Sequence, residues 1–145
     1  MIDKDNKPYL RQIIMDHYTN PNNKGLIDDD NSKIEIQKST TCADEITIQI
    51  NANENKIKLI RFEGTACAVA TSSCDILMDQ LKDKSILEAL HILENYYNLI
   101  TNNSTVNEEI LDELIAFNAI YKQANRINCA LLAVNGIKNI LKTFN

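Results

Sequence analysis

From Lys33 to Gln37 the chain alternates polar and apolar residues, and the same two-residue period returns at Ile46-Thr47-Ile48-Gln49-Ile50. Such alternation predicts β-strands with one buried face. Ala52-Asn53-Glu54-Asn55 supplies turn chemistry and leads into a third run, Lys56 to Phe62. There the alternation slips at Leu59-Ile60, which predicts a bulge or a strand covered on both sides. Ahead of the strands, Leu10, Ile13, Ile14 and the pair His17/Tyr18 recur at helical spacing behind Pro8, predicting an amphipathic helix over 8–19. Asn20-Pro21-Asn22-Asn23 and Gly25 end it, and Asp28-Asp29-Asp30 with Asn31 and Ser32 reads as a solvated loop.

From Cys67 onward the period becomes helical. Helices are predicted over 67–82, 85–101, 107–117 and 126–143, with breaks at Lys82-Asp83-Lys84-Ser85, Thr101-Asn102-Asn103-Ser104 and Lys122-Gln123-Ala124-Asn125. Ser85 with Glu88 three positions on forms a capping box. Ala130, Val134, Ile137, Leu141 and Phe144 line one face of the last helix. Strands first and helices after predict an α+β fold: a small antiparallel three-stranded sheet covered on one face by helices. No repeat or composition break divides the chain, so residues 1–145 are expected to form a single domain.

Charge narrows the function classes. The net charge is -5, and the 15 basic residues are scattered rather than clustered, which argues against a nucleic-acid partner. No run of about 18 apolar residues suggests a membrane span, and Met1-Ile2-Asp3-Lys4-Asp5-Asn6 is followed by no apolar signal core, so a cytoplasmic location is expected. In that reducing compartment four cysteines without a Cys-Xaa-Xaa-Cys pair point to metal or thiol chemistry rather than disulfides.

Three of the cysteines fall at predicted element boundaries, where side chains can converge. Cys42 and Asp44 lie between the first two strands, one residue apart, so both can face one ion, or they are a loop cysteine beside a turn-forming Asp. Cys67 lands at a helix start behind Gly64. There the helix dipole favours a thiolate, the alternative being a small residue closing the turn. Cys129 is predicted to begin the last helix, three residues after Arg126, a cation that can steady a thiolate or join a surface ion pair. Cys74 lies two turns beyond Cys67, roughly 10 Å along the helix, too far to share an ion with it, and reads as core. His17 and His91 adjoin no cysteine and read as surface or internally satisfied helix residues.

These residues resemble the NifU N-terminal domain family of iron-sulfur assembly proteins, also called IscU-like. The resemblance rests on Thr41-Cys42-Ala43-Asp44, Phe62-Glu63-Gly64 before Cys67, Arg126-Ile127-Asn128-Cys129-Ala130, and Tyr9 to Pro21 with Asn23-Lys24-Gly25. The long connection between Cys67 and Cys129, the absence of any proline after Pro21, and Asn128 where the scaffold branch carries His resemble the SufU branch. The resemblance implies Cys42, Asp44, Cys67 and Cys129 as Zn2+ ligands, with an Fe-S cluster as the alternative cofactor. It further implies Cys42 as the sulfur-accepting thiol and Arg126 as the residue steadying it. The implied partners are a SufS-like, pyridoxal-phosphate-dependent cysteine desulfurase and downstream Fe-S assembly proteins. The implied role is a zinc-dependent sulfurtransferase relaying persulfide sulfur, or alternatively a scaffold on which a cluster is built. Ala43 departs from the glycine usual between Cys and Asp and implies a stiffer loop.

Overall fold

In the computed structural model, which describes residues 2–39, 43–102 and 107–144, Asn6 caps the first helix. Its side chain accepts the Tyr9 N–H, and helix α1 (Lys7–Thr19) carries Pro8 in its first turn, where no intrahelical N–H is needed. Three antiparallel strands follow, β1 (Lys33–Lys38), β2 (Glu45–Asn53) and β3 (Lys56–Thr65), in the spatial order β1-β2-β3. Glu54 and Asn55 turn β2 into β3 with both φ values positive, the mirror-image turn whose twist suits a hairpin. The slip in the third alternating run is a bulge. Asn51 faces Leu59 and Ala52 faces Ile57, which leaves Lys58 as the extra residue.

The helices are α2 (Ala68–Leu81), α3 (Ile86–Thr101), the single turn α4 (Glu108–Leu111) and α5 (Ala124–Leu141), with 3-10 stretches at Asp112–Phe117 and Ile120–Lys122. Ser85 and Glu88 form the expected capping box at α3. The helix expected over 107–117 breaks after one turn. Asp112 takes a left-handed φ of 46°, and the chain continues as the tighter 3-10 form. The last helix begins at Ala124, two residues earlier than its apolar stripe suggested, and Phe144 lies beyond its end.

α2 and α5 pack on one face of the sheet and α3 packs against α5. Ile46, Ile48 and Ile50 of β2 and Ile57, Ile60 and Phe62 of β3 are buried beneath them, each worth about 1.5–3 kcal/mol relative to exposure. Gly136 lets α5 lie close: a Cβ there would come 2.5 Å from Ile48 Cδ1. The Tyr96 hydroxyl, 2.7 Å from Ser73 Oγ, and its edge-on contact with Phe117 join α3 to α2 and the 3-10 stretch.

β1 departs from expectation. Ile34 and Ile36 are 56% and 54% exposed, because the register sets them opposite Gln49 and Thr47, on the face away from the helices. The helix-facing positions hold Lys33, Glu35 and Gln37, and Asn139 of α5 donates to Glu35. The outer face is crossed by the chain after α1: Ile27 exchanges both main-chain hydrogen bonds with the Gln49 amide, and Arg61 donates to the Gly25 and Lys24 carbonyls.

Candidate metal centre

Asp44 immediately precedes β2, and its carbonyl accepts the Ser39 N–H at 3.0 Å, closing the chain between β1 and β2. Its carboxylate Oδ1 accepts the main-chain N–H of Cys67 at 2.9 Å. That bond is possible because β3 runs tightly against the start of β2. Gly64 pairs with Ile46 at φ 132°, and a Cβ there would overlap the Glu45 carbonyl oxygen. Gly64 is itself a residue of β3, and its missing side chain permits this approach.

Cys67 is the N-cap of α2, in extended conformation, and its Sγ accepts the Ala70 N–H at 3.4 Å. Cys129 lies in the second turn of α5 rather than at its start, buried where α5 packs against α2. One ligand atom from each of Asp44, Cys67 and Cys129 lies within 4.8 Å of the others. Two thiol sulfurs and a carboxylate oxygen are a donor set suited to a borderline-soft cation such as Zn2+, which takes tetrahedral S and O ligands. Cys42 lies outside the described residues. Arg126 is exposed one turn before Cys129 and makes no ion pair among the described residues. Cys74 is fully buried in the core, and burial pushes its thiol pKa well up, as suits a packing residue. His91 is exposed.

His17 is not a surface residue. It is buried with its Nδ1 2.6 Å from Asp75 Oδ2 and its Nε2 2.9 Å from Glu113 Oε1. The hydrogen bond to Asp75, reinforced by Glu113 and opposed by burial, raises its pKa to about 9, so it is an imidazolium at neutral pH. Asp75 also accepts the main-chain N–H groups of Asn22 and Asn23, while the two asparagine amides donate to Asp79. His17, Asp75 and Asp79 likewise place ligand atoms within 4.8 Å of one another. The signals available in sequence were His17 on the buried stripe of α1 and Asp75 with Asp79 four positions apart on one face of α2.

The Asp-Cys-Cys cluster thus sits where the start of β2, the N-cap of α2 and the second turn of α5 meet, on a three-stranded sheet that carries helices on one face. Residues 9–145 match the NifU-like N terminal domain, and the chain belongs to that family. It is 29% identical over 123 residues to the zinc-dependent sulfurtransferase SufU of Bacillus subtilis, covering 85% of this chain and 82% of the relative. It is 27% identical over 130 residues to the iron-sulfur cluster assembly scaffold protein IscU of Streptococcus pyogenes, covering 90% and 80%. Among solved structures, a protein assigned to cluster assembly scaffolding in the SUF system of Fervidobacterium islandicum superposes with a TM-score of 0.84 at 28% identity, covering 90% and 94% of the two chains. The N-terminal NifU-like protein of Brucella abortus, 14% identical, shares the fold with a TM-score of 0.83. Among the described residues, no helix is long and apolar enough to cross a membrane.

Proposed function

We infer that this chain is a zinc-dependent sulfur carrier of the cytoplasm, taking persulfide sulfur from a cysteine desulfurase and passing it towards Fe-S cluster assembly. The observation that carries this reading is the convergence of Asp44, Cys67 and Cys129 within 4.8 Å. Both histidines of the chain lie elsewhere, so the donors at hand are thiols and a carboxylate, with Cys42 two positions before Asp44 as the fourth. The likeness to the Bacillus subtilis sulfurtransferase and the non-His residue Asn128 before Cys129 support the carrier over the scaffold.

Zinc, when bound, holds its cysteine ligands as thiolates at neutral pH. Cys67 and Cys129 anchor the centre from α2 and α5. The Asp44 carboxylate, oriented by the Cys67 N–H at 2.9 Å, would be the oxygen ligand of the set. In the transfer itself, the Cys42 thiolate attacks the outer sulfur of the donor's cysteine persulfide. A new S–S bond forms on Cys42 as the donor's S–S bond breaks, and the donor cysteine leaves as its thiolate, with no net oxidation. Arg126, exposed at the same end of α5, would offset the charge of the loaded persulfide.

Purified protein should hold about one zinc per chain and stimulate its cognate desulfurase, and Cys42→Ser should abolish that stimulation. Full stimulation by Cys42→Ser would overturn the carrier reading. The scaffold reading, favoured by the Streptococcus pyogenes relative, calls instead for a cluster spectrum after anaerobic reconstitution that passes intact to an apo-acceptor.

A further inference from the structure

A cavity of about 370 Å³ opens between α1, the 3-10 segments and the residue that caps α5. Leu10, Ile14 and Ile120 are among its apolar lining, Lys7 and Arg11 stand one turn apart on its α1 side, and Gln123 closes it. The Lys4 ammonium at its edge is already held by Glu108 at 2.9 Å. Lys7 and Arg11 make no ion pair among the described residues, in a chain whose net charge is -5.

A pocket with an apolar lining and two uncompensated cations suits a ligand that combines an apolar side chain with a carboxylate. Its location narrows the ligand further. Gln123 is six residues before Cys129 on the same helix, roughly 9 Å along the axis, and exposed Arg126 lies between them. An object seated in the pocket would therefore lie beside the end of α5 that carries the cysteine centre. We propose that this pocket docks an acidic, apolar-flanked peptide segment of the sulfur-donating protein and so brings the donor's persulfide to the cysteine centre. The proposal rests on the carrier reading above. Lys7 and Arg11 act in encounter and register, drawing an acidic segment to the mouth of the pocket. They take no part in the sulfur exchange.

The test uses the full-length, zinc-loaded chain titrated calorimetrically with its cognate cysteine desulfurase at low and physiological salt. The Lys7→Glu/Arg11→Glu variant should bind at least about tenfold more weakly and lose most of the salt dependence shown by wild type. Its zinc content should stay unchanged. Both side chains are exposed, so folding should survive, and Lys7→Gln/Arg11→Gln provides a milder pair with an intermediate loss. Lys56→Glu/Lys58→Glu, two exposed cations at the β2–β3 hairpin, serves as the charge-matched control and should bind as wild type does. Equal affinity of the Lys7/Arg11 variant and wild type would overturn the docking site and leave the carrier reading standing. An equal loss in the control pair would overturn it too, by showing a general charge effect. A wild-type self-association abolished by the Lys7/Arg11 change would assign the pocket to a second copy instead. Absence of any wild-type binding would remove both the docking site and the carrier reading.

Discussion

Among the described residues two clusters meet the same geometric condition, three potential metal-ligand atoms within 4.8 Å, and chemistry separates them. The His17 cluster contains its own cation. Its imidazolium donates to Asp75 and Glu113, and the carboxylates of Asp75 and Asp79 are further supplied by Asn22 and Asn23. It is a closed clamp that fastens α1 and the turn after it to α2 and the 3-10 stretch. The Asp44–Cys67–Cys129 cluster has no such cation among its three members: ionised, all three are anions, a charge that a metal ion would offset. Proximity of ligand atoms is therefore a weak criterion until the charge within the group has been counted.

Breaking the clamp should cost the most. Asp75→Ala leaves the buried His17 imidazolium without its nearest carboxylate and removes the acceptor for two main-chain N–H groups, so a loss of about 3–5 kcal/mol is expected. For a chain of this size that corresponds to a fall in Tm of roughly 6–20 °C, read by calorimetry, with zinc content unchanged in the folded fraction. A zinc loss from correctly folded Asp75→Ala would show that the two clusters are not independent.

The same clamp sets a pH dependence. The folded-state pKa of His17, about 9, exceeds the unfolded value near 6.5, so the imidazolium's stabilisation is complete below about pH 6.5 and is lost as pH rises through 9. About 3 kcal/mol should disappear across that window in urea denaturation. His17→Gln should flatten this part of the profile, and a profile equally steep in the variant would assign the effect to another group.

At the cysteine centre the expected effect is on metal, not on fold. Asp44→Ala should weaken zinc retention by about 10–100-fold in a chelator competition, or about 1.4–2.7 kcal/mol, while Asp79→Ala should leave it unchanged. Equal retention by Asp44→Ala and wild type would remove Asp44 from the ligand set. Smallest of all, Ile34→Thr and Ile36→Thr should shift stability by no more than about 0.5 kcal/mol, since both side chains point away from the helices and are more than half exposed. A loss comparable to that of a buried isoleucine would mean that this face of β1 is covered in solution.

Most of the secondary structure was legible because it is written in local periodicity. The capping box at Ser85, the hairpin after Asn53, the bulge in β3 and the apolar stripe of α5 all depend on residues a few positions apart. The errors occur where distant contacts decide. β1 alternates as well as β2 does, yet its isoleucines face outward, because pairing register with β2 sets the face and the alternation of one strand cannot say which face that is. The helix expected over 107–117 likewise breaks at Asp112, where the backbone takes a positive φ and continues as 3-10 turns, a change that the apolar spacing does not signal.

By itself, the sequence determined the inventory: an α+β order of elements, Asp44 and Cys67 at element boundaries, and the family to which the cysteine pattern belongs. Only the tertiary structure decided that Asp44, Cys67 and Cys129 meet. Their separation along the chain is closed by Gly64, which lets β3 press on β2, by the Asp44 bond to the Cys67 N–H, and by α5 packing on α2. It also decided between the two readings of His17, surface or internally satisfied, by setting it in a clamp with Asp75 and Glu113. Long-range apposition arises from packing of surfaces, and one-dimensional spacing does not encode which surfaces meet.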